Sequence, residues 1–210
     1  MADVKISKIV LKGRKYKVYT NIDYVIFTED IIVKYKVLKD RTFSLEQWEH
    51  IKNSNEESLL FDKVLNFIDF KPRTKKEVEI YLNNNLVDIN KLNNIIEELI
   101  KMKYIDDDRY AENYILECIR KHIGPILIQN KLEMLGITKD IYSKYFGKYD
   151  KVIEYENAET IANNYLKQIS KYPQLKQKQL LYNKLLRSGY GYDICNKILN
   201  TLKLNNEIIE

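Results

Sequence analysis

The spacing of apolar residues repeats three times along the chain. Val78, Leu82, Leu86 and Val87 are spaced as Ile128, Leu132, Gly136 and Ile137 are, and as Leu181, Leu185, Gly189 and Tyr190 are in turn. Beyond these sets, Thr138-Lys139-Asp140-Ile141 matches Gly191-Tyr192-Asp193-Ile194, and Leu92 aligns with Ile141 after a one-residue slip. A four-residue apolar step is the signature of one helical face. A glycine just past such a stripe, as at Gly136 and Gly189, is a turn residue that ends a helix in the left-handed region at little steric cost. Each unit therefore reads as helix, helix, tight turn, helix, with a period of about fifty residues, and such units bury their faces by stacking. The predicted fold is mainly α, with three tandem three-helix repeats in an elongated curved array over 56–105, 106–150 and 151–204. A small N-terminal β-hairpin/α module precedes them at 1–55, and 205–210 form a frayed tail.

The helix ends carry their own chemistry. Ser44-Leu45-Glu46-Gln47 and Thr74-Lys75-Lys76-Glu77 are capping boxes, pairing a hydroxyl at the cap with an amide or carboxylate three residues later. Asp106 to Asp108 put an acceptor and negative charge where a helix begins, and Tyr110, Tyr114, Ile115 and Cys118 follow at helical spacing. Arg120 and Lys121 lie where its C-terminus favours cations. Gly124 breaks that helix and Pro125 starts the next, where the amide it lacks would be unpaired anyway. Before Asn55, residues 4–12 and 16–27 are rich in β-branched and aromatic residues, broken by Gly13-Arg14-Lys15 and Asn21, and read as a small antiparallel sheet. Thr28 is placed to cap a short helix from Glu29 to about Leu38.

Composition excludes more than it selects. With 210 residues and 45% apolar side chains the chain can bury a core, and 35 basic against 30 acidic residues give a net charge of only +5. Seventeen tyrosines beside abundant Asn, Ile and Lys reflect an AT-rich coding bias, so aromatic and basic abundance alone carries no argument. Cys118 and Cys195 make no disulfide framework, and no apolar run spans a bilayer, which points to a soluble cytoplasmic protein without membrane contact. His50 and His122 have no partner at metal-ligand spacing. Three consecutive carboxylates on a helix diverge by about 100° each, so Asp106 to Asp108 read as a cap rather than an ion site. No phosphate loop or activated nucleophile is present, so no enzyme, cofactor or metal is expected.

Tyr104-Ile105-Asp106-Asp107-Asp108-Arg109-Tyr110-Ala111, followed by Gly124-Pro125 and a helix ending Leu132 to Ile137, resembles the RecX family of bacterial regulators of the RecA recombinase. The resemblance spans all three repeats and is most specific in the second. It implies a non-enzymatic regulator that binds the RecA filament on single-stranded DNA and suppresses ATP hydrolysis and strand exchange, and the chain is expected to act as a monomer. It also implies a recombinase contact through the second repeat and its flank, at Arg73, Asp107, Arg109, Tyr110, Arg120 and Lys121.

Charge supplies the other candidates. Between Lys167 and Lys203, Lys171, Lys176, Lys178, Lys184 and Arg187 stand among cations opposed only by Asp193, and Lys75 and Lys76 precede a helix of the first repeat. These read as DNA-phosphate contacts or as solvated helix faces. Lys8, Lys12, Arg14, Lys15 and Lys17 face a polyanion or protect a sheet edge, and the edge is the favoured reading. The two helices around each turn suit helical-hairpin construction or a helix-turn-helix. The reading that competes with recombinase regulation is a DNA-binding or scaffold module working through the basic third repeat.

Overall fold

Alternating β-branched and aromatic residues near the N-terminus form three strands, β1 (Val4–Lys12), β2 (Lys15–Thr20) and β3 (Tyr24–Phe27). The computed structural model describes residues 3–85 and 88–202, so Leu86, Val87, Lys203 and the tail at 205–210 lie outside the described residues. Gly13 has φ of +65° in the two-residue turn that pairs Lys12 with Lys15, the conformation that a tight hairpin demands. The helix α1 (Glu29–Lys34) ends four residues before Leu38, because the chain turns at Lys36, with φ of +50°, and the Val37 amide bonds back to the Ile32 carbonyl. A two-residue strand, β4 (Thr42–Phe43), then pairs with Val4 and Lys5, giving the order β3-β2-β1-β4. It is too short to show any periodicity in sequence.

That order revises the reading of the N-terminal cations. β2 is paired on both sides from Tyr16 to Tyr19, so its Lys17 protects no edge, whereas Lys15 lies beyond the pairing with β3, and Lys8 and Lys12 lie on the part of β1 beyond its short pairing with β4. Val4, Ile6, Val18 and Phe27 of the sheet bury against Trp48 and Ile51 of α2 (Leu45–Phe70). Ser44 and Gln47 form both bonds of the expected capping box at its start.

α2 passes without interruption through residue 55, where the sequence places the end of the N-terminal module. The polar residue that reads as a linker is buried instead. Asn55 is 3% exposed, its oxygen accepts from the Thr28 amide at 3.1 Å, and its nitrogen donates to the Ile26 carbonyl at 2.8 Å. It shares a helical face with Trp48 and Ile51, so it belongs to the sheet's core. After it come α3 (Lys75–Asn84) and α4 (Ile89–Lys101), the latter capped by Asp88. Phe67 stacks on Tyr81 at 4.3 Å between ring centroids.

Two compact units emerge, Met1–Pro72 with Val78–Tyr104, and Arg73–Glu77 with Ile105–Glu210. The second contains α5 (Asp107–Arg120), α6 (Pro125–Met134), α7 (Lys139–Tyr142), a 3-10 turn at Phe146–Lys148, α8 (Lys151–Ile169), α9 (Gln174–Arg187) and α10 (Tyr192–Thr201). Ala111, Ile115, Ile128 and Leu132 form one core, and Ala158, Leu181, Leu185 and Ile198 another. Cys118 and Cys195 are buried free thiols, and burial pushes the Cys195 thiol up to about 11. Asp108 joins α5 to the segment after α7: its carboxylate accepts from Lys144 at 2.9 Å and from the Tyr145 hydroxyl at 3.2 Å.

Gly136 and Gly189 have φ of +82° and +91°. After each, an amide bonds back to the carbonyl of Leu132 or Leu185, the pattern by which a left-handed residue closes a helix. The residue before each glycine presents its carbonyl to the start of another helix. The Leu135 oxygen accepts from the Thr74 hydroxyl at 2.8 Å, and the Ser188 oxygen accepts from the Gly124 amide at 2.7 Å. Thr74 and Gly124 occupy equivalent positions in the repeat alignment, as do Leu135 and Ser188. One joint is therefore made twice.

Gly124 corrects the sequence reading of its own role. It does not break α5, since its φ is −71° and it is the N-cap residue of α6. The break belongs to His122, with φ of +56°. Glycine is required at 124 because a Cβ there would meet Gly189 backbone at 2.2 Å and Tyr190 nitrogen at 2.6 Å.

Gly124→Ala should destabilise the protein by about 2–3 kcal/mol, the upper range for forcing atoms into a packed site. Gly147→Ala, whose Cβ meets nothing within 4 Å, should leave thermal melting unchanged. A second expectation concerns acid. The Lys144 ammonium, then the Tyr145 hydroxyl, hold the Asp108 carboxyl below the usual carboxylate range. The folded value is thus lower than the unfolded one, so this stabilisation is complete above the ordinary range and is lost as pH falls through the lowered value. Melting curves of Asp108→Asn should fall below the parent at pH 7 and converge with it in strong acid.

Candidate functional site

The start of α5 brings together several of the residues singled out by sequence. Asp106, Asp107 and Asp108 diverge onto three separate partners. Asp106 caps the helix by accepting from the Arg109 amide at 2.9 Å, Asp107 accepts from the Lys75 amide at 2.9 Å, and Asp108 holds Lys144 and Tyr145. Among the described residues no group of three or more His, Cys, Asp or Glu side chains is placed to hold a metal ion. Thr74 and Glu77 complete their capping box, with the Thr74 amide donating to Glu77 at 3.1 Å and the Glu77 amide to Thr74 at 3.2 Å.

The candidates for protein contact separate by burial. Arg73 donates to Glu77 at 3.1 Å, with side chains only 14% and 20% exposed, so this pair serves the helix start. Asp107 is committed to the Lys75 amide in the same way. Tyr110 is half-buried, stacks on Tyr114 at 6.2 Å, and has its hydroxyl pKa raised, first by burial. Arg109 and Arg120 are exposed and fall on one stripe of α5 with Asn113 and Leu116, about 16 Å apart along the axis. Neither guanidinium has an ion-pair partner among the described residues. Lys121, also exposed, pairs with Glu117, which lowers the Glu117 pKa and raises that of Lys121.

The candidates for phosphate contact divide too. Lys171 and Lys176 both lie over the Tyr172 ring, at 5.4 and 4.8 Å, and Lys184 lies over Tyr165 at 5.9 Å. At about 100° per residue, Lys176, Lys184 and Arg187 share one side of α9, whereas Lys178 points roughly opposite Lys176. Lys178 lines a shallow cleft of about 330 Å³ with Leu175, Tyr182 and Leu199. Lys171, Lys176, Lys184 and Arg187 have no carboxylate partner among the described residues. Lys75 and Lys76 are exposed, and the aliphatic part of Lys76 lies against Gly136, where a Cβ would meet it at 2.7 Å.

A polar network that sequence reasoning missed secures the end of α5. Tyr190 donates to the His122 carbonyl at 2.7 Å, Tyr149 to the Ile123 carbonyl at 3.0 Å, and Asn157 to the Ile119 carbonyl at 2.9 Å. The Asn157 oxygen also meets His122 Nδ1 at 2.6 Å. These groups bond to main-chain carbonyls in and just after the last turn of α5, where backbone acceptors run out of helical partners. One signal was available: Tyr190 stands where its repeat partners have Val87 and Ile137, and so brings a hydroxyl to an otherwise apolar position. Burial drives the Tyr190 hydroxyl pKa far upward, keeping it a neutral donor.

No helix among the described residues is long and apolar enough to cross a membrane. No family model matches the chain. The regulatory protein RecX of Streptococcus uberis is 33% identical over 210 residues, covering 97% of this chain and 79% of the relative. That of Streptococcus equi subsp. zooepidemicus is 30% identical over 207 residues, with the same coverage. A crystal structure of regulatory protein RecX shares the fold with a TM-score of 0.74 at 19% identity, covering 94% of this chain and 99% of that one. RecX from Lactobacillus salivarius superposes with a TM-score of 0.64 at 27% identity, over 72% of this chain and 99% of that one. Identity at this level over nearly the whole length, on the same mainly helical fold with an N-terminal sheet, makes the chain a member of the RecX family, which consists of regulatory proteins and not enzymes.

Proposed function

We propose that this protein regulates the RecA recombinase in the cytoplasm by binding, as a monomer, to its filament on single-stranded DNA and lowering ATP hydrolysis and strand exchange. The exposed stripe of α5 carries the reading. Arg109 and Arg120 sit on the element headed by the Tyr104 to Ala111 motif, neither forms an ion pair among the described residues although Arg120 lowers the pKa of nearby Glu117 through its charge, and Leu116 between them is 36% exposed. Arg73 and Asp107 support this surface from inside, and Tyr110 and Lys121 flank it. Unpaired arginines beside an exposed apolar residue suit a partner that offers carboxylates around an apolar patch.

The basic strip of Lys171, Lys176, Lys184 and Arg187 is the DNA-facing part of the same proposal, with Lys75 and Lys76 as further phosphate contacts and Lys178 standing apart. The strip alone also supports a second reading, a DNA-binding or scaffold module without recombinase contact. No catalytic step is invoked in either.

The ATPase rate of the host recombinase on single-stranded DNA, measured with increasing amounts of this protein, tests partner and outcome together. The rate should fall, and an unchanged rate at saturation overturns the proposal. Reversing Arg109 and Arg120 to Glu should relieve inhibition while leaving affinity for bare single-stranded DNA within twofold. Reversing Lys176, Lys184 and Arg187 should weaken that affinity and flatten its dependence on salt, by roughly 0.7 in the logarithmic slope per lost phosphate contact. Equal losses of both activities in both variants would refute the division of labour between α5 and α9.

A further inference from the structure

The outward face of the N-terminal sheet has a composition that neither the family membership nor the helical repeats explain. Side chains alternate along a strand, and Tyr16 and Val18 of β2 pack into the core. Lys15, Lys17 and Tyr19 therefore share the opposite face. The strand register sets Val10 and Ile26 on either side of Lys17, and Lys8 and Tyr24 on either side of Tyr19. Lys12 stands beside Lys15. The result is a cluster of two tyrosines and two aliphatic residues among lysines, with no carboxylate in any of these positions. Asp23, in the adjoining turn, has its carboxylate engaged by the Thr20 hydroxyl at 2.9 Å.

Exposure shows that the cluster is not an extension of the core. Tyr24 is 55% exposed, Ile26 42% and Val10 37%, and Ile22 beside Tyr24 is 62% exposed. Scattered exposed apolar residues need no explanation, whereas a contiguous set rimmed by charge of one sign marks a surface built for a partner. Lys17, paired at both edges of its strand, is not there to block strand addition.

We propose that this sheet face binds single-stranded nucleic acid, stacking unpaired bases on Tyr19 and Tyr24 while Lys8, Lys15 and Lys17 take the phosphates. The two rings lie 6.0 Å apart between centroids, tilted by 46°, and offer neighbouring platforms for two successive bases. In the free protein the Lys17 ammonium covers them, 3.6 Å from the Tyr24 centroid and 5.0 Å from that of Tyr19. An exposed cation over a ring is a weaker contact than a base stacked on it. An arriving base displaces the ammonium, which then meets the phosphate that follows. A flat π face selects for bases, the lysines interleaved with it select for a polyanion, and a duplex would keep its bases out of reach of a sheet face. This site is separate from the regulation of recombinase and from the strip on α9.

Fluorescence anisotropy of labelled oligothymidylate and oligouridylate with the full chain tests it, using a background in which Lys176, Lys184 and Arg187 are reversed so that binding by α9 is suppressed. Tyr24→Ala should weaken binding about tenfold, the effect of losing one base–aromatic stack, and Tyr24→Phe should bind as the parent does. Lys15→Gln with Lys17→Gln should reduce the logarithmic salt slope by roughly 0.7 per lost contact, and Tyr24→Ala should leave that slope unchanged. A 5-bromouracil oligomer should photo-crosslink to the segment holding Tyr19 and Tyr24. Comparable affinity for both oligomers supports a site reading bases and phosphates alone, and preference for one supports it while identifying the natural strand. Unchanged affinity in Tyr24→Ala, crosslinks confined to other segments, or binding of an acidic peptide in place of either oligomer overturns the proposal. Recombinase ATPase does not enter these measurements, so this proposal and the regulatory one fail separately.

Discussion

A main-chain carbonyl just before a left-handed glycine, together with the helix start that bonds to it, is the interaction on which the helical part of this protein depends. At Leu135 the donor is the Thr74 hydroxyl, and at Ser188 it is the Gly124 amide. The glycine that follows lets the helix end sharply, so the carbonyl before it emerges where another helix can reach it. The joint also explains why the first turn of α3 belongs with the second unit, although the rest of that helix belongs with the first. Thr74 sits in a capping box, fully buried, and serves two helices with one hydroxyl. At the second joint the backbones approach too closely for any side chain, and the amide takes over the hydroxyl's part.

This economy at the helix ends leaves particular charges free for other work. The acids at the head of α5 are absorbed by a cap, by the Lys75 amide and by Lys144, while the carbonyls at its tail are absorbed by Tyr149, Asn157 and Tyr190. With both ends secured, α5 presents a fixed exposed stripe, and preorganised side chains lose little entropy when a partner arrives. Lys176 and Lys184 on α9 lie over tyrosine rings and so are also held partly in place.

What was legible in the sequence was local. The capping boxes at Ser44 and Thr74, the cap at Asp106, the proline at the start of α6 and the left-handed Gly136 and Gly189 all follow from side-chain chemistry within a few residues. What was not legible depends on residues distant in sequence. Gly124 looks like a helix breaker until Gly189 is found against it. His122 breaks α5 instead, and a left-handed histidine bears no mark in sequence because its conformation is upheld by Asn157 and Tyr190. Lys17 resembles an edge lysine until the order of strands shows β2 to be interior. The site residues were readable as types, but their division into Arg73 and Asp107, spent inside the fold, and Arg109 and Arg120, turned outward, required burial.

Asn55 has one further consequence. Because its amide closes the Ile26 carbonyl and the Thr28 amide from the middle of α2, the sheet and that helix form one mechanical piece. α2 is a rod of about 39 Å, with no glycine or proline between Leu45 and Phe70 at which to flex. The sheet rides on one end of this rod and the Phe67–Tyr81 stack grips the other, so a load applied at the sheet travels the length of the lever undamped by any hinge. A chain severed at residue 55, where composition alone suggests a seam, would snap that lever at midspan and strip two buried backbone groups of their partners. The working seam of the molecule is not there.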